Sequence, residues 1–271
     1  MARKKQLIIP IFLPFGGCPH QCVFCDQNGI TGSSALPSMD EVKKTIDAHL
    51  STWKGNGRRE AAFYGGSFTA LPKEDQARYL AVSYGYLEKG LIDGVRVSTR
   101  PDCVQDQTVG FLKGYGVDTI ELGAQSMSDE VLRLSGRGHT SSQTELASRL
   151  IKSSSMRLGL QIMPGLPGDT VDTIISTAER VATLSPDFIR VYPTLVLKGT
   201  PLHRMYLSGS YRPWSLDEMV SICRGVMDIF REAGIPVIKM GLQPTRELEE
   251  SLVCGPFHPS FRQLVEKGLP A

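Results

Sequence analysis

The segment "GGCPHQCVFC" at residues 16–25 holds three cysteines, Cys18, Cys22 and Cys25, with the spacing Cys-x3-Cys-x2-Cys. Thiolates are the protein ligands of iron–sulfur clusters, and three of them leave one iron of a 4Fe-4S cluster without a protein ligand. An open coordination position is where a metal site does chemistry. A small molecule with an amine and a carboxylate could chelate that iron. The spacing therefore indicates an open iron–sulfur site.

A zinc site is the alternative for the same loop. Cys18, His20, Cys22 and Cys25 could supply the four tetrahedral ligands that structural zinc prefers. Zinc knuckles usually offer two pairs of ligands, and the sequence contains no second Cys-x2-Cys pair. The loop by itself favours the cluster and leaves zinc open.

Bulk composition narrows the class of protein. The 271 residues are 41% hydrophobic and 21% charged, with a formal net charge of +2, which is ordinary for a globular protein and gives no strong polyanion-binding signature. No signal peptide is recognisable, and no apolar run approaches the roughly 20 residues of a membrane span. We expect a cytoplasmic protein without a membrane segment. In that compartment, six cysteines indicate metal binding or catalysis rather than disulfides.

Strand and helix patterns alternate along the chain. Six apolar runs are predicted to be strands: "QLIIPIFL", "AAFYGG", "GVRVSTRPD", "VDTIELGAQS", "MRLGLQIMPGLPG" and "DFIRVYPTLV". Helices between them imply a parallel sheet, which we expect to curl into a partial TIM-type (β/α)6 barrel of α/β class. An open doubly wound sheet is the structural alternative. We expect these strands to be mostly apolar on both faces.

Polar residues mark the predicted helix starts and the domain plan. Ser38 with Glu41, and Ser215 with Glu218, have the spacing of capping boxes, and Asp169 is predicted to cap a further helix. No interdomain linker is visible. We therefore predict a single domain over residues 1–271, in which residues 215–271 form a C-terminal helix and covering segment.

The cysteine loop resembles that of a known superfamily. "CPHQCVFC" is similar to the cluster loop of the radical S-adenosylmethionine enzymes, Cys-x3-Cys-x-aromatic-Cys, with Phe24 at the aromatic position. The resemblance implies the radical S-adenosylmethionine fold and a 4Fe-4S cluster held by the three cysteines. It also implies that S-adenosylmethionine binds the open iron and is cleaved reductively to methionine and a 5′-deoxyadenosyl radical.

Further motifs follow the loop in order and extend the resemblance from Phe12 to about Trp214. They are "FYGGSFTALP", "VSTRPD", "IELGAQS", "GRGHT", "QIMPGLPGDT" and "VYPTLVLKGTPL". Together they resemble the radical domain of the Elongator catalytic subunit and its bacterial relatives. We expect no acetyltransferase-like domain of that family in this chain, and the family's basic N-terminal extension is reduced here to Arg3, Lys4 and Lys5.

The resemblance assigns ten residues to S-adenosylmethionine. Arg137, in "GRGH", matches an arginine that receives the methionine carboxylate, which a guanidinium fits with two hydrogen bonds. Ser67 and Ser98 stand where many relatives have glutamate. The full set of implied cofactor residues is Phe24, Gly65, Gly66, Ser67, Ser98, Gln125, Arg137, Gln161, Met163 and Tyr192.

The implied function is hydrogen-atom abstraction for the modification of a tRNA base or a related substrate. The expected partners of such an enzyme are S-adenosylmethionine, an external one-electron reductant of the flavodoxin or ferredoxin type, and tRNA as a candidate substrate. Two alternatives stay open. One is an enzyme similar to coproporphyrinogen oxidase that acts on a tetrapyrrole, and the other is a non-enzymatic RNA-binding module that carries zinc or a cluster.

Overall fold

The computed structural model describes residues 6–26 and 35–267. Arg3, Lys4 and Lys5 lie outside these ranges, as do residues 268–271 at the end of the predicted covering segment. None of the helices in the described part is long and apolar enough to cross a membrane.

Within these ranges, seven parallel strands form one sheet, and two short strands form a second. The strands are β1 (Leu7–Leu13), β2 (Arg59–Gly65), β3 (Gly94–Thr99), β4 (Val117–Gln125), β5 (Arg157–Ile162), β6 (Phe188–Val191), β7 (Val196–Leu197), β8 (Val237–Met240) and β9 (Leu252–Cys254). The large sheet has the order β1-β2-β3-β4-β5-β6-β8, and β7 pairs with β9 in antiparallel fashion.

Ten α-helices connect and flank these strands within the described ranges. They are α1 (Met39–Thr52), α2 (Lys73–Glu88), α3 (Asp106–Gly114), α4 (Asp129–Leu134), α5 (Ser141–Ser153), α6 (Val171–Thr183), α7 (Pro201–Leu207), α8 (Leu216–Glu232), α9 (Arg246–Ser251) and α10 (Phe261–Lys267). The helices that separate successive strands are the crossovers that a parallel sheet requires.

The strand order decides between the two predicted architectures. Strands of the large sheet follow one another in chain order, whereas a doubly wound sheet reverses direction at a switch point. The prediction of a partial TIM-type barrel is therefore confirmed, with one strand more than the six predicted. The seventh, β8, follows Pro236 and has only four residues. The predicted strand "DFIRVYPTLV" is in fact divided into β6 and β7.

Two of the three predicted helix caps are confirmed. Ser38 and Glu41 begin α1 with a complete capping box, and Ser215 and Glu218 do the same for α8. The prediction for Asp169 is wrong, because Thr170 caps α6. Asp169 instead accepts hydrogen bonds at 3.0 Å from the backbone N–H groups of Gly165 and Leu166. It thus closes the turn after β5 rather than the helix.

The two faces of the large sheet differ in polarity. One face packs apolar side chains such as Ile9, Val97 and Leu160 into the main core. The other face, inside the barrel, carries charged side chains among its lining. The expectation that the strands are mostly apolar on both faces has exceptions on this inner face, since Glu60 in β2 and Arg96 in β3 are 0% and 2% exposed. Buried charges are tolerated only when they are paired, and these two residues pair with each other.

Candidate functional site

The three cysteines line one cavity of about 170 Å³ beyond the end of β1. The loop turns sharply, with Gly17 at a φ of 70° that glycine adopts without strain. Two backbone hydrogen bonds hold it, from Cys18 N–H to Phe15 O and from Cys25 N–H to Cys22 O, each at 3.1 Å. The fold thus directs all three thiols toward a common space.

The Gly-Gly-Ser segment after β2 packs directly against this loop. Gly66 N–H donates to Leu13 O at 2.9 Å, and Ser67 N–H donates to Gly16 O at 2.7 Å. A Cβ atom on Gly66 would lie 1.9 Å from Gly16 O, so only glycine permits the contact. This close approach places the backbone at the end of β2 beside the cysteine loop.

Gly66→Ala is expected to displace the cysteine loop and to prevent stable iron loading. The added methyl group would overlap the Gly16 backbone, which cannot move aside as a flexible side chain can. Iron content after anaerobic reconstitution checks this. The control is Gly85→Ala in α2, where a Cβ atom meets nothing within 4 Å. That variant should load iron normally and gain about 0.5–1 kcal/mol of stability. Equal iron content in both variants would contradict the packing argument.

Two arginines place positive charge beside the thiols. Arg137 donates from Nη1 to Cys22 Sγ at 3.2 Å, and Arg100 donates to the Arg137 backbone oxygen. Both side chains are nearly buried, at 6% and 4% exposed. Burial and the neighbouring Cys22 thiol raise the pKa of Cys18, while the two guanidinium groups act in the opposite direction. The cavity is therefore suited to an anionic group bound by thiolates.

The geometry of the loop bears on the choice between one metal ion and a cluster. Among the residues that the structure describes, no three His, Cys, Asp or Glu side chains converge closely enough to hold one metal ion. The three thiols nevertheless line the same cavity, with His20 at its rim. Cysteine thiolates are the protein ligands of iron–sulfur clusters, so the donor set is of the right kind for such a group. The soft donor set and the two guanidinium groups thus fit an iron–sulfur cluster.

Most of the residues predicted to contact the cofactor surround this cavity together with the cysteines. Eight of the ten do so: Phe24, Gly65, Gly66, Ser67, Ser98, Gln125, Arg137 and Gln161. Phe24 comes from the loop after β1, and the other seven come from the ends of β2 to β5 and the loops that follow, which is where barrel enzymes place their chemistry. Gln125 adopts a φ of 67° and accepts a hydrogen bond from Gln161 Nε2 at 3.2 Å.

The other two predicted residues, Met163 and Tyr192, line an adjoining cavity of about 1050 Å³ inside the barrel. The two cavities share six lining residues: Phe24, Cys25, Gly65, Ser98, Glu121 and Gln161. They therefore form a continuous space that leads from the thiols to the barrel interior. A space of that volume accommodates a small molecule or a nucleotide.

Glu121 is a site residue that the sequence reasoning missed. It lines both cavities and is 4% exposed. Its two oxygens are held by Arg96 Nη1 at 2.6 Å and by Arg190 Nε at 2.9 Å. It also lies opposite Ser98 in the register between β3 and β4, so a carboxylate lies next to the strand position at which many relatives carry glutamate. The available signal was a charged residue inside an otherwise apolar strand, as with Arg96 in β3, Glu121 in β4 and Arg190 in β6.

Two family models match the chain in succession. The Radical SAM superfamily model matches residues 12–181, and the Radical_SAM C-terminal domain model matches residues 186–270. An uncharacterized protein from Methanocaldococcus jannaschii is 30% identical over 232 residues, which cover 80% of this chain and 70% of the relative. A tRNA uridine(34) acetyltransferase from Methanocaldococcus infernus is 31% identical over 129 residues, or 46% of this chain and 24% of that enzyme. The chain thus spans about a quarter of the second relative's length.

Solved structures support the fold. The structure of the archaeal Methanocaldococcus infernus Elp3 with an N-terminal deletion has a TM-score of 0.76 at 20% identity, and the match covers 97% of this chain and 62% of that one. Coproporphyrinogen III oxidase (HemN) from Escherichia coli has a TM-score of 0.62 at 17% identity, and the match covers 86% of this chain and 54% of that one. At these identities the likeness concerns the fold alone. The two family matches, taken with the cysteine loop and the parallel partial barrel, place this chain in the radical SAM superfamily.

Proposed function

We propose that this chain is an enzyme that uses a 4Fe-4S cluster and S-adenosylmethionine to abstract a hydrogen atom from its substrate. Cys18, Cys22 and Cys25 would hold the cluster through three of its irons. A cluster bound there would supply the one electron that reductive cleavage of S-adenosylmethionine to methionine and a 5′-deoxyadenosyl radical requires. The observation that supports this most strongly is the cavity in which three thiols, two guanidinium groups and the Gly-Gly-Ser backbone meet.

Polar groups around the cavity would orient S-adenosylmethionine. The Arg137 guanidinium would receive the methionine carboxylate, and the backbone of Gly65 and Gly66 would receive the amino group. Gln125 and Gln161, which are hydrogen-bonded to each other, would contact the ribose. Ser67 is fully buried beside the cavity, and its hydroxyl and backbone carbonyl would both be available to the amino group.

Apolar and aromatic groups would complete the nucleoside site. Phe24 packs in a cluster with Val196, Leu202 and Tyr211, which fixes it at the mouth of the cavity. Met163 and Tyr192 line the adjoining space, with Ser98 shared between the two cavities. These groups would exclude water from the adenosyl portion, which protects a reactive intermediate.

The proposed substrate is a tRNA base or a related molecule. Support comes from relatives named tRNA uridine(34) acetyltransferase and Elongator complex protein 3. A single nucleotide is small enough to enter the 1050 Å³ cavity when it is turned out of its stack. The proposal includes an external one-electron reductant of the flavodoxin or ferredoxin type and a cytoplasmic location.

Formation of 5′-deoxyadenosine tests the proposed chemistry. Anaerobically reconstituted protein would be incubated with S-adenosylmethionine and dithionite, and the products quantified by liquid chromatography and mass spectrometry. We expect 5′-deoxyadenosine and methionine in equal amounts. Profiling of RNA nucleosides from a strain that lacks the protein would then identify a missing modification. Iron-loaded protein that forms no 5′-deoxyadenosine would overturn the proposal.

Arg137→Ala is expected to weaken S-adenosylmethionine binding by about 1.5–3 kcal/mol, the usual scale for hydrogen bonds to a charged group. The variant would lose the guanidinium proposed to bind the methionine carboxylate. Isothermal titration of iron-loaded protein measures the affinity. Arg133→Ala serves as the control, because Arg133 lies four residues away and is 68% exposed in a surface pair with Glu130. Equal affinities of the two variants would assign Arg137 a structural role.

A further inference from the structure

Lys239 is a cation of the barrel interior that the proposed chemistry does not use. It lies on β8 opposite Arg190 of β6, is partly buried, and lines the 1050 Å³ cavity. No carboxylate within the described residues forms an ion pair with its ammonium group. Burial and the adjacent Arg190 guanidinium lower the pKa of Lys239. Its positive charge is therefore uncompensated at a place where desolvation makes charge costly.

The carboxylates that line the barrel interior are already held by guanidinium groups. Arg96 and Arg190 take both oxygens of Glu121, at 2.6 and 2.9 Å. Glu60 is bound by Arg96 and by Arg58, whose Nε lies 2.6 Å from Glu60 Oε1. Neither carboxylate is left to neutralise the Lys239 ammonium group.

Two further acids line the same cavity, and neither reaches Lys239. Glu41 accepts hydrogen bonds from the Ser38 backbone and hydroxyl at 2.8 Å in the capping box of α1. Asp26, beside the cysteine loop, already interacts with another group. In the corner formed by Lys239 and Arg190, the guanidinium is therefore paired with Glu121, and only the Lys239 ammonium group lacks an anion among the described residues.

Neutral hydrogen-bonding groups surround this corner. Arg190 donates from Nη2 to the Tyr64 hydroxyl at 2.8 Å and from Nη1 to the Tyr192 hydroxyl at 3.2 Å. Together with the pair to Glu121, these contacts fix the guanidinium and occupy most of its five N–H groups. The ammonium group of Lys239 supplies three further donors.

We propose that Lys239, supported by Arg190, binds a carboxylate or phosphate group of the substrate inside the barrel. The inference rests on the proposed function, and it narrows the substrate to an anionic molecule or nucleotide. The cavity that Lys239 lines shares Gly65, Ser98 and Gln161 with the cavity at the thiols. An anion held at β8 would anchor one end of the substrate while the rest extends toward the adenosyl site.

Matched ligand pairs test the site and distinguish its two possible anions. The affinities of uridine 5′-monophosphate and uridine are compared to detect a preference for phosphate. The affinities of orotate and uracil are compared to detect a preference for carboxylate. Binding to the full-length, cluster-loaded protein would be measured by isothermal titration. In at least one pair we expect the anionic member to bind about tenfold tighter or more, as one charged hydrogen bond provides.

Three variants identify the residue responsible. Lys239→Gln should abolish the preference for the anion, and Lys239→Arg should retain much of it. Lys89→Gln is the control, because Lys89 is exposed at the end of α2; it should behave as the wild type. The proposal is overturned if neither pair shows a preference, if none of the four ligands binds, or if the preference survives in Lys239→Gln.

Failure of the anion site can be distinguished from failure of the proposed function, because the titrations measure ligand binding and need no enzymatic turnover. If the wild-type protein forms 5′-deoxyadenosine but shows no preference for the anionic ligands, only the role assigned to Lys239 is wrong. If the preference depends on Lys239 but the protein does not cleave S-adenosylmethionine, the anion site is supported and the proposed radical chemistry is wrong.

Discussion

Cys22→Ala is expected to abolish cluster assembly and the cleavage of S-adenosylmethionine together. Cys22 is the middle cysteine of the loop, is 7% exposed, and receives the hydrogen bond from Arg137. Two remaining cysteines cannot supply the three thiolates that the proposed site requires. Iron content and 5′-deoxyadenosine formation, measured on the same anaerobic preparation, check the prediction.

Cys223→Ala is the matched control for that experiment. Cys223 lies fully buried on α8 within the main apolar core, so its loss should cost about 1 kcal/mol of stability without affecting the iron. Far-ultraviolet circular dichroism would establish that both variants are folded. If Cys22→Ala cleaved S-adenosylmethionine at the wild-type rate, the cysteine loop would not be the site of the proposed chemistry.

Glu121→Gln is expected to lower the free energy of unfolding by about 3–5 kcal/mol, the usual cost of breaking a buried ion pair. The substitution keeps the size of the side chain but removes the charge that both Arg96 and Arg190 require. Two guanidinium groups would then remain in the barrel interior without that compensating carboxylate. Denaturant unfolding monitored by circular dichroism measures the loss.

Glu130→Gln provides the comparison for this second prediction. Glu130 pairs with Arg133 on the surface, where the two side chains are 61% and 68% exposed. Exposed pairs contribute about 0–1 kcal/mol because solvent screens them. If Glu121→Gln were no more destabilising than Glu130→Gln, the interior network would have no structural importance.

The parts of the fold that follow local rules could be predicted from the sequence. The β1 to β6 runs are apolar and separated by helical patterns, and the capping boxes at Ser38 and Ser215 depend only on residues three apart. The cysteine loop is likewise local, since its three thiols lie within eight residues. Short-range spacing is sufficient for these features.

Features that depend on tertiary partners could not be predicted in the same way. The strand β8 has four residues with Lys239 in the middle, and nothing local distinguishes it from a loop. Glu60, Arg96, Glu121 and Arg190 stand far apart in the sequence, and only the parallel register brings them together inside the barrel. The sequence pattern places Asp169 at a helix start, because a propensity pattern does not reveal its hydrogen bonds to the preceding turn.

Electron paramagnetic resonance of the reduced, anaerobically reconstituted wild-type protein, with and without S-adenosylmethionine, tests the central claim most directly. We expect a 4Fe-4S signal that shifts when S-adenosylmethionine binds the open iron. Chemical analysis of the same sample should give about four iron and four sulfide ions per chain. A colourless protein that carries one zinc ion, or a cluster signal that S-adenosylmethionine leaves unchanged, would contradict it.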